Sequence, residues 1–171
     1  MPARADSFDL KRLGLASGEG RSAELAVPVE PLHFAGQEYS PGSHVDARLD
    51  VSRTTGNGFA LRLRFAVRLH GPCQRCLDDA DADVNVDARE IEQPGSDDDE
   101  LTSPYVEGDD LDLRAWARDA LVLALPTQIV CDEKCRGLCV VCGTNLNEDP
   151  SHGHEAPPDP RWAKLSELKL D

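Results

Sequence analysis

The chain has 171 residues, enough for one domain with a sizeable core or for a domain with a small metal-binding lobe. Its net charge of −14 arises within residues 78–112, which hold fifteen acidic residues and one basic residue, whereas the remainder holds seventeen of each. This composition lacks the basic footprint of an autonomous nucleic-acid binder, although it does not exclude an RNA or ribosomal partner. There is no apolar run of membrane-spanning length and no secretory signal, so we expect a cytoplasmic protein without a membrane partner.

The sequence divides into three parts by composition and pattern. Residues 1–44 are interrupted by prolines, and we expect an irregular N-terminal segment with loops and short edge strands there. Residues 45–130 predict an antiparallel sheet plus a helix, with an acidic loop at 92–110. Residues 131–171 form a Cys/His metal-binding segment and a tail.

Three segments of the middle part alternate apolar and polar residues, the pattern of half-buried strands. They are residues 45–51, 59–69 and 84–90, and the turn-forming residues 54–58 join the first two as a hairpin. Successive strands of this kind predict an antiparallel meander with one face in water.

Arginines line the polar face of the middle strand, and two interpretations of them are open. Arg62, Arg64 and Arg68 could bind phosphates, or they could form cross-strand ion pairs with Asp46, Asp50 and Asp87 on the flanking strands. We favour the ion pairs because both neighbouring strands carry acidic residues on the matching face. Arg75 lies outside this row, between two cysteines, and is a better candidate for a surface contact.

An amphipathic helix is predicted over residues 111–125. Apolar residues recur there at positions i, i+3, i+4 and i+7, and Pro126 ends the pattern. This helix should cover the apolar face of the sheet, with Trp116 in the core. The predicted fold class is therefore α+β, an antiparallel β-sheet packed against one main helix, followed by a C-terminal zinc-binding segment.

Eight potential zinc ligands lie in two parts of the chain. Thiolates and imidazoles bind Zn²⁺ tetrahedrally, and a reducing compartment disfavours disulfides. We therefore predict one or two zinc ions as the cofactor. The candidate ligands are Cys73, Cys76, Cys131, Cys135, Cys139, Cys142, His152 and His154.

Spacing alone leaves three partitions of these ligands open. The favoured partition joins Cys73 and Cys76 to Cys131 and Cys135, and leaves a local C-x2-C-x9-H-x-H site. A second places the four clustered cysteines on one ion. A third combines the two C-x-x-C pairs as an ordinary zinc ribbon.

Catalytic motifs are missing from the sequence. The P-C-x-x-C at residues 72–76 is half of a zinc deaminase signature, but no His or Cys followed two residues later by Glu precedes it. There is no G-x-S-x-G, no phosphate-cradling glycine loop and no H-E-x-x-H. Cys-rich sites without a carboxylate base are usually closed and structural, so we expect a binding or assembly protein without a small-molecule substrate.

The motifs CQRCL, LDLRAWARDALVLALP, CDEKCRGLCVVCGTNLN and DPRWAKL together resemble the YceD-like family of large ribosomal RNA subunit accumulation proteins. The resemblance covers roughly residues 45–168. Members often carry C-x-C after the NLN element, where this chain has His152-Gly153-His154.

The resemblance implies a non-catalytic role in ribosome biogenesis, supporting accumulation of large-subunit ribosomal RNA. The implied partner is a large-subunit precursor, through its rRNA or a ribosomal protein. Basic or aromatic residues beside the motifs are candidate contacts: Arg75, Arg136, Arg161 and Trp162. The alternatives are a zinc-ribbon interaction module of another pathway and a zinc-dependent hydrolase.

Overall fold

The computed structural model describes residues 3–96, 98 and 101–154. Two short 3-10 helices, Leu10–Leu13 and Thr55–Asn57, interrupt a mainly β chain. Within the described part, no helix is long and apolar enough to cross a membrane. The other elements, in chain order, are β1 (Ala3–Arg4), β2 (Ser7–Asp9), β3 (Gly20–Val27), β4 (Leu32–Phe34), β5 (Gln37–Tyr39), β6 (Val45–Arg53), β7 (Phe59–Pro72), β8 (Asp79–Glu92), β9 (Val106–Glu107), β10 (Asp110–Asp112) and α1 (Leu113–Leu123).

A five-stranded sheet organises the fold, in the order β1-β3-β6-β7-β8. The pairs β3–β6, β6–β7 and β7–β8 are antiparallel, which confirms the predicted meander, while the two-residue β1 is parallel to β3. β7 and β8 pair along their whole 14 residues, from Phe59 opposite Glu92 to Pro72 opposite Asp79. The long hairpin carries the turn between β7 and β8, which contains Cys73 and Cys76, to one end of the sheet.

One face of the sheet is buried, as the alternation predicts. The alternate residues of β6 from Val45 to Val51 are at most 3 % exposed, and Leu61, Leu63 and Leu69 of β7 are at most 2 % exposed. α1 contributes Trp116 to this core, where its ring stacks on that of Tyr105 at 6.2 Å between centroids. The prediction of Trp116 as a core residue is confirmed.

The helix begins later than the sequence pattern predicts. Residues 110–112 are strand β10, and the Asp112 carboxylate caps the helix by accepting a hydrogen bond from the backbone N–H of Ala115 at 2.9 Å. α1 therefore covers Leu113–Leu123 rather than residues 111–125.

The other face of the sheet carries ion pairs between neighbouring strands. Arg62 pairs with Asp87, Arg64 with Asp50, and Arg68 with Asp83. This confirms the ion-pair interpretation of the arginine row. Asp83, rather than Asp46, is the third acidic partner, because Arg68 lies directly opposite it in the register of β7 and β8.

Residues 1–44 contribute more regular structure than loops and short edge strands. β3 runs for eight residues beside β6, from Gly20 opposite Ser52 to Val27 opposite Val45. Its last three residues are all buried, and its first half is mostly exposed, so no clean alternation identifies it. β2 pairs with β10, more than a hundred residues away. No local pattern reveals such a partner.

The acidic region 92–110 is also less irregular than predicted. β8 extends to Glu92, and β9 and β10 form a small sheet with β2 in the order β2-β10-β9. Leu111 in β10 is fully buried opposite Phe8 of β2. Its burial between acidic neighbours anchors this sheet to the core.

Candidate metal centres

Four cysteine sulfurs meet where the β7–β8 turn packs on the segment that follows α1. The Sγ atoms of Cys73 and Cys135 are 3.8 Å apart, those of Cys76 and Cys131 are 3.5 Å apart, and all four lie within 4.8 Å of one another. A tetrahedron with Zn–S bonds of about 2.3 Å has S···S edges of about 3.8 Å. A disulfide would need about 2.05 Å. The donor set and its spacing fit a closed zinc site, which we term the first group.

The turn of residues 73–78 is shaped to present two of these sulfurs. The N–H of Cys73 donates to the carbonyl of Asp78 at 2.6 Å, and the N–H of Leu77 donates to the carbonyl of Cys73 at 3.0 Å. Leu77 has a φ of 67°, an uncommon value for a branched side chain, which the tight turn imposes. The N–H of Gln74 also donates to the carbonyl of Ile129, which docks the turn on the chain entering Cys131.

Backbone donors surround the sulfur of Cys73. Burial raises the pKa of Cys73, but N–H groups that include that of Arg75, at 3.4 Å from the sulfur, outweigh this and lower the pKa to about 6. Burial raises the pKa of Cys76 well above its usual range. N–H groups directed at sulfur stabilise a thiolate, the form that binds a metal.

The Arg75 side chain holds the first group together. Its guanidinium donates to the carbonyl of Cys135 at 3.2 Å, to that of Glu133 at 3.3 Å and to the Gln128 side chain at 2.8 Å. Arg75 therefore crosslinks the turn to the segment after α1. Its structural contacts are internal to the chain, although the residue is exposed.

The other four candidate ligands, Cys139, Cys142, His152 and His154, form a second group. The Cys142 sulfur lies 3.1 Å from Nε2 of His152 and 3.2 Å from Nε2 of His154. A hydrogen bond from the Thr144 hydroxyl is the main cause that lowers the pKa of Cys142 to about 6. Gly143 has a φ of 77°, and its N–H donates to the carbonyl of Cys139, which closes the turn. This group also fits a tetrahedral zinc ion, but its residues are more exposed than those of the first group.

Two asparagines between the ligands of the second group contact the first group and the turn that carries two of its ligands. Asn145 donates to the Asp78 carboxylate at 2.7 Å, and Asn147 donates to the sulfur of Cys135 at 3.3 Å. The carbonyl of Asn147's side chain accepts the N–H of Arg136 at 2.8 Å. Neither asparagine is among the functional residues predicted from the sequence. Asparagines in turns commonly hydrogen-bond the nearby backbone, as Asn145 does by accepting the N–H of Asn147, but the contacts with Asp78 and Cys135 depend on tertiary packing.

The structure groups the eight ligands in the same way as the favoured partition. The four clustered cysteines do not converge on one point, and the two C-x-x-C pairs belong to different groups among the described residues. Occupancy by zinc stays a prediction. Of the predicted contact residues, Arg136 is exposed and donates to the carbonyl of Pro150, while Arg161 and Trp162 lie outside the described residues.

Residues 61–169 match the protein family described as large ribosomal RNA subunit accumulation protein YceD. Uncharacterized proteins of Mycobacterium bovis and Mycobacterium tuberculosis are each 41 % identical over 170 residues, covering 95 % of this chain and 80 % of theirs. A maize protein named large ribosomal RNA subunit accumulation protein YCED homolog 1, chloroplastic, is 26 % identical over 181 residues, covering 83 % of this chain and 60 % of its own. No solved structure matches the chain.

Proposed function

This chain belongs to the YceD family of large ribosomal RNA subunit accumulation proteins, and from that premise we propose that it is a non-catalytic ribosome-biogenesis factor stabilised by structural zinc. It would act by binding a large-subunit precursor, through rRNA or a ribosomal protein, in the cytoplasm. The observation that carries the proposal is the extent of the family match, which includes both groups of zinc ligands. The match begins in β7, so the proposed functional unit is the β7–β8 hairpin, the helix and the metal segment together.

The composition of the two groups supports a structural role for the metal. In the first group, four thiolates would hold one Zn²⁺ and complete its tetrahedral shell. In the second, Cys139, Cys142, His152 and His154 would do the same. Zinc in the first group would crosslink the β7–β8 turn to the segment after α1, and zinc in the second would close the loop between Cys142 and His152.

A zinc-dependent hydrolase receives less support from these sites. A catalytic zinc site keeps one position open for water, beside a carboxylate that acts as a base. Each group here offers a full set of four protein ligands. The Asp149 carboxylate is 3.8 Å from Nδ1 of His152 and is placed to orient that ring instead.

Depletion of the protein in its own cells tests the role in ribosome biogenesis. We expect the ratio of large-subunit to small-subunit rRNA to fall, and precursor particles to accumulate in sucrose gradients. Expression of the unmodified chain should restore the ratio, whereas Cys73→Ser, which removes a ligand of the first group, should not. An unchanged ratio after depletion would contradict the proposal.

The proposed contact residues Arg75, Arg136, Arg161 and Trp162 can be tested separately by co-sedimentation with large-subunit precursors. Single alanine variants at Arg136, Arg161 and Trp162 should weaken co-sedimentation. Arg21→Ala is a matched control, since Arg21 is an exposed arginine of β3 outside both groups. If all variants co-sedimented equally, these residues would not belong to the binding interface. Arg75→Ala requires a parallel zinc measurement, because that side chain also crosslinks the first group.

A further inference from the structure

A groove runs between α1 and the outer edge of β8, away from both metal groups. It has a volume of about 310 Å³ and is lined on one side by Trp116, Ala120 and Leu123 of α1. The other side is the continuous run of residues 86–90 of β8. Alternate side chains of a strand point to opposite faces, so five consecutive residues line one groove only along the strand's edge. The groove therefore gives access to the backbone of β8.

β8 is an edge strand of the main sheet. Its one partner among the described strands is β7, which pairs with it along its whole length. No described strand pairs with the opposite edge, so its backbone N–H and C=O groups have the arrangement that accepts an added strand. Beside this edge, Leu123 leaves 86 % of its surface exposed. An exposed edge next to an apolar wall is a docking site for an extended segment.

The charge of β8 selects among the possible occupants. The strand has six acidic residues and one basic residue, with aspartates alternating at positions 79, 81 and 83 on the solvent face. A second copy of β8 would place aspartates against aspartates, and an RNA would place phosphates there; like charges at this distance repel. Basic residues are compatible with β8, because Arg62 and Arg68 of the neighbouring strand β7 form ion pairs with its Asp87 and Asp83.

Glu90 adds a specific anchor for a cation inside the groove. It lies on the buried face of β8, opposite Leu61, and forms no ion pair with a described residue. Burial raises its pKa, while the Ser103 hydroxyl partly offsets this with a hydrogen bond. A lysine or arginine entering the groove would supply the missing counter-charge to this half-buried carboxylate.

We propose that the groove between α1 and β8 binds an extended protein segment in which basic and apolar residues alternate, by adding it as a strand to the edge of β8. The groove and its charges do not depend on the family to which the chain belongs. The further step, that the bound segment belongs to a protein of large-subunit assembly, rests on the proposed function. Apolar side chains of the segment would face Leu123 and Ala124. Its basic side chains would face the aspartates on the solvent face of β8. A basic side chain at the end of the segment would reach Glu90 on the groove face.

Peptide binding to the zinc-loaded full chain tests this proposal. The probe is a capped decapeptide that alternates lysine and valine; the control peptides have the same composition in two blocks, or glutamate in place of lysine. We expect the alternating lysine peptide alone to bind, and to slow amide hydrogen exchange at residues 86–90. The expected loss of affinity for Leu123→Lys is about tenfold, the usual effect of removing an interface anchor.

Two further variants separate the groove from general charge effects. Val140→Lys makes the same charge change at a fully exposed residue between Cys139 and Cys142, and it should leave peptide affinity unchanged. Glu90→Gln removes the half-buried charge while keeping the side chain's shape, so it should weaken binding without unfolding the chain.

Each of the following results would overturn the proposal. The first is equal binding of the block peptide, or protection of amides elsewhere. The second is protection of residues 86–90 by a single-stranded uridine oligonucleotide. The third is slow amide hydrogen exchange at residues 86–90 in the absence of peptide, if Trp162→Ala makes that exchange faster. This result would assign the groove to the chain's own tail. Failure of peptide binding while depletion still lowers large-subunit rRNA would reject the groove and leave the proposed function standing.

Discussion

The side-chain amide of Asn147 donates a hydrogen bond to the sulfur of Cys135 across 3.3 Å. Asn147 lies in the loop between Cys142 and His152, which belong to the second group, whereas Cys135 belongs to the first. One asparagine thus connects the loop that closes one candidate metal site to a ligand of the other. The two sites are adjoining parts of one structure, further joined by the hydrogen bond from Asn145 to Asp78.

Removal of this hydrogen bond should weaken the first site without removing a ligand. Groups that hydrogen-bond metal ligands commonly contribute about tenfold to a hundredfold in metal affinity. We expect Asn147→Ala to release one of two zinc ions at a lower concentration of competing chelator. Asn85→Ala, an exposed change on the polar face of β8, is the control. Identical release curves would show that the contact does not support the site.

Two zinc ions per chain are expected from the grouping of the ligands. Metal analysis of the purified protein should give two zinc ions, and Cys73→Ser and His152→Ala should each retain one. The two variants remove ligands from different groups, so each reports on one site. A single zinc ion in the unmodified protein would contradict the grouping.

The pH dependence of stability should show the contribution of Asp50. Burial alone raises the pKa of this carboxyl, but hydrogen bonds from Ser22, Arg64 and Arg48 outweigh burial and lower the pKa to about 2. A depressed pKa stabilises the folded state at pH values above the unfolded pKa of about 3.9, and the stabilisation is lost as pH falls toward about 2. At pH values well above about 4, this carboxylate contributes about 2 kcal/mol to the free energy of unfolding.

Urea unfolding of Asp50→Asn measures this contribution. The variant should be less stable than the unmodified protein near neutral pH, and the difference should shrink below about pH 4. Asp46→Asn, on the same strand, is the control because Asp46 has no ion pair among the described residues. A difference for Asp50→Asn that stays constant with pH would count against this account.

The core should be sensitive to truncation at Leu63, which is fully buried in the middle of β7. Leu63→Ala removes packed methyl groups and leaves a cavity, so we expect a loss of about 2 to 5 kcal/mol in the free energy of unfolding. Leu123→Ala makes the same change at an exposed residue and should cost less than about 0.5 kcal/mol. The two variants are compared by urea unfolding at saturating zinc. Equal losses of stability would contradict the buried position of Leu63 and the exposed position of Leu123.

Local patterns in the sequence determined the strands β6, β7 and β8, the helix and the identity of the candidate ligands. Apolar and polar residues alternate over residues 45–51 and 59–69 because one face of each strand is buried and the other faces solvent. This alternation can be recognised in the sequence. The ligand types follow from side-chain chemistry, which does not depend on the fold.

Tertiary structure decided which of these residues meet. Cys73 and Cys135 are 62 positions apart, and short spacers allow several partitions, so only the packing of the β7–β8 turn on the segment after α1 selects one. The same packing makes Arg75 an internal crosslink through the carbonyl of Cys135. β3 and the pairing of β2 with β10 depend on partners distant in sequence. Long-range contacts leave no periodic signal in a local window, because their stabilisation comes from burial against residues elsewhere in the chain.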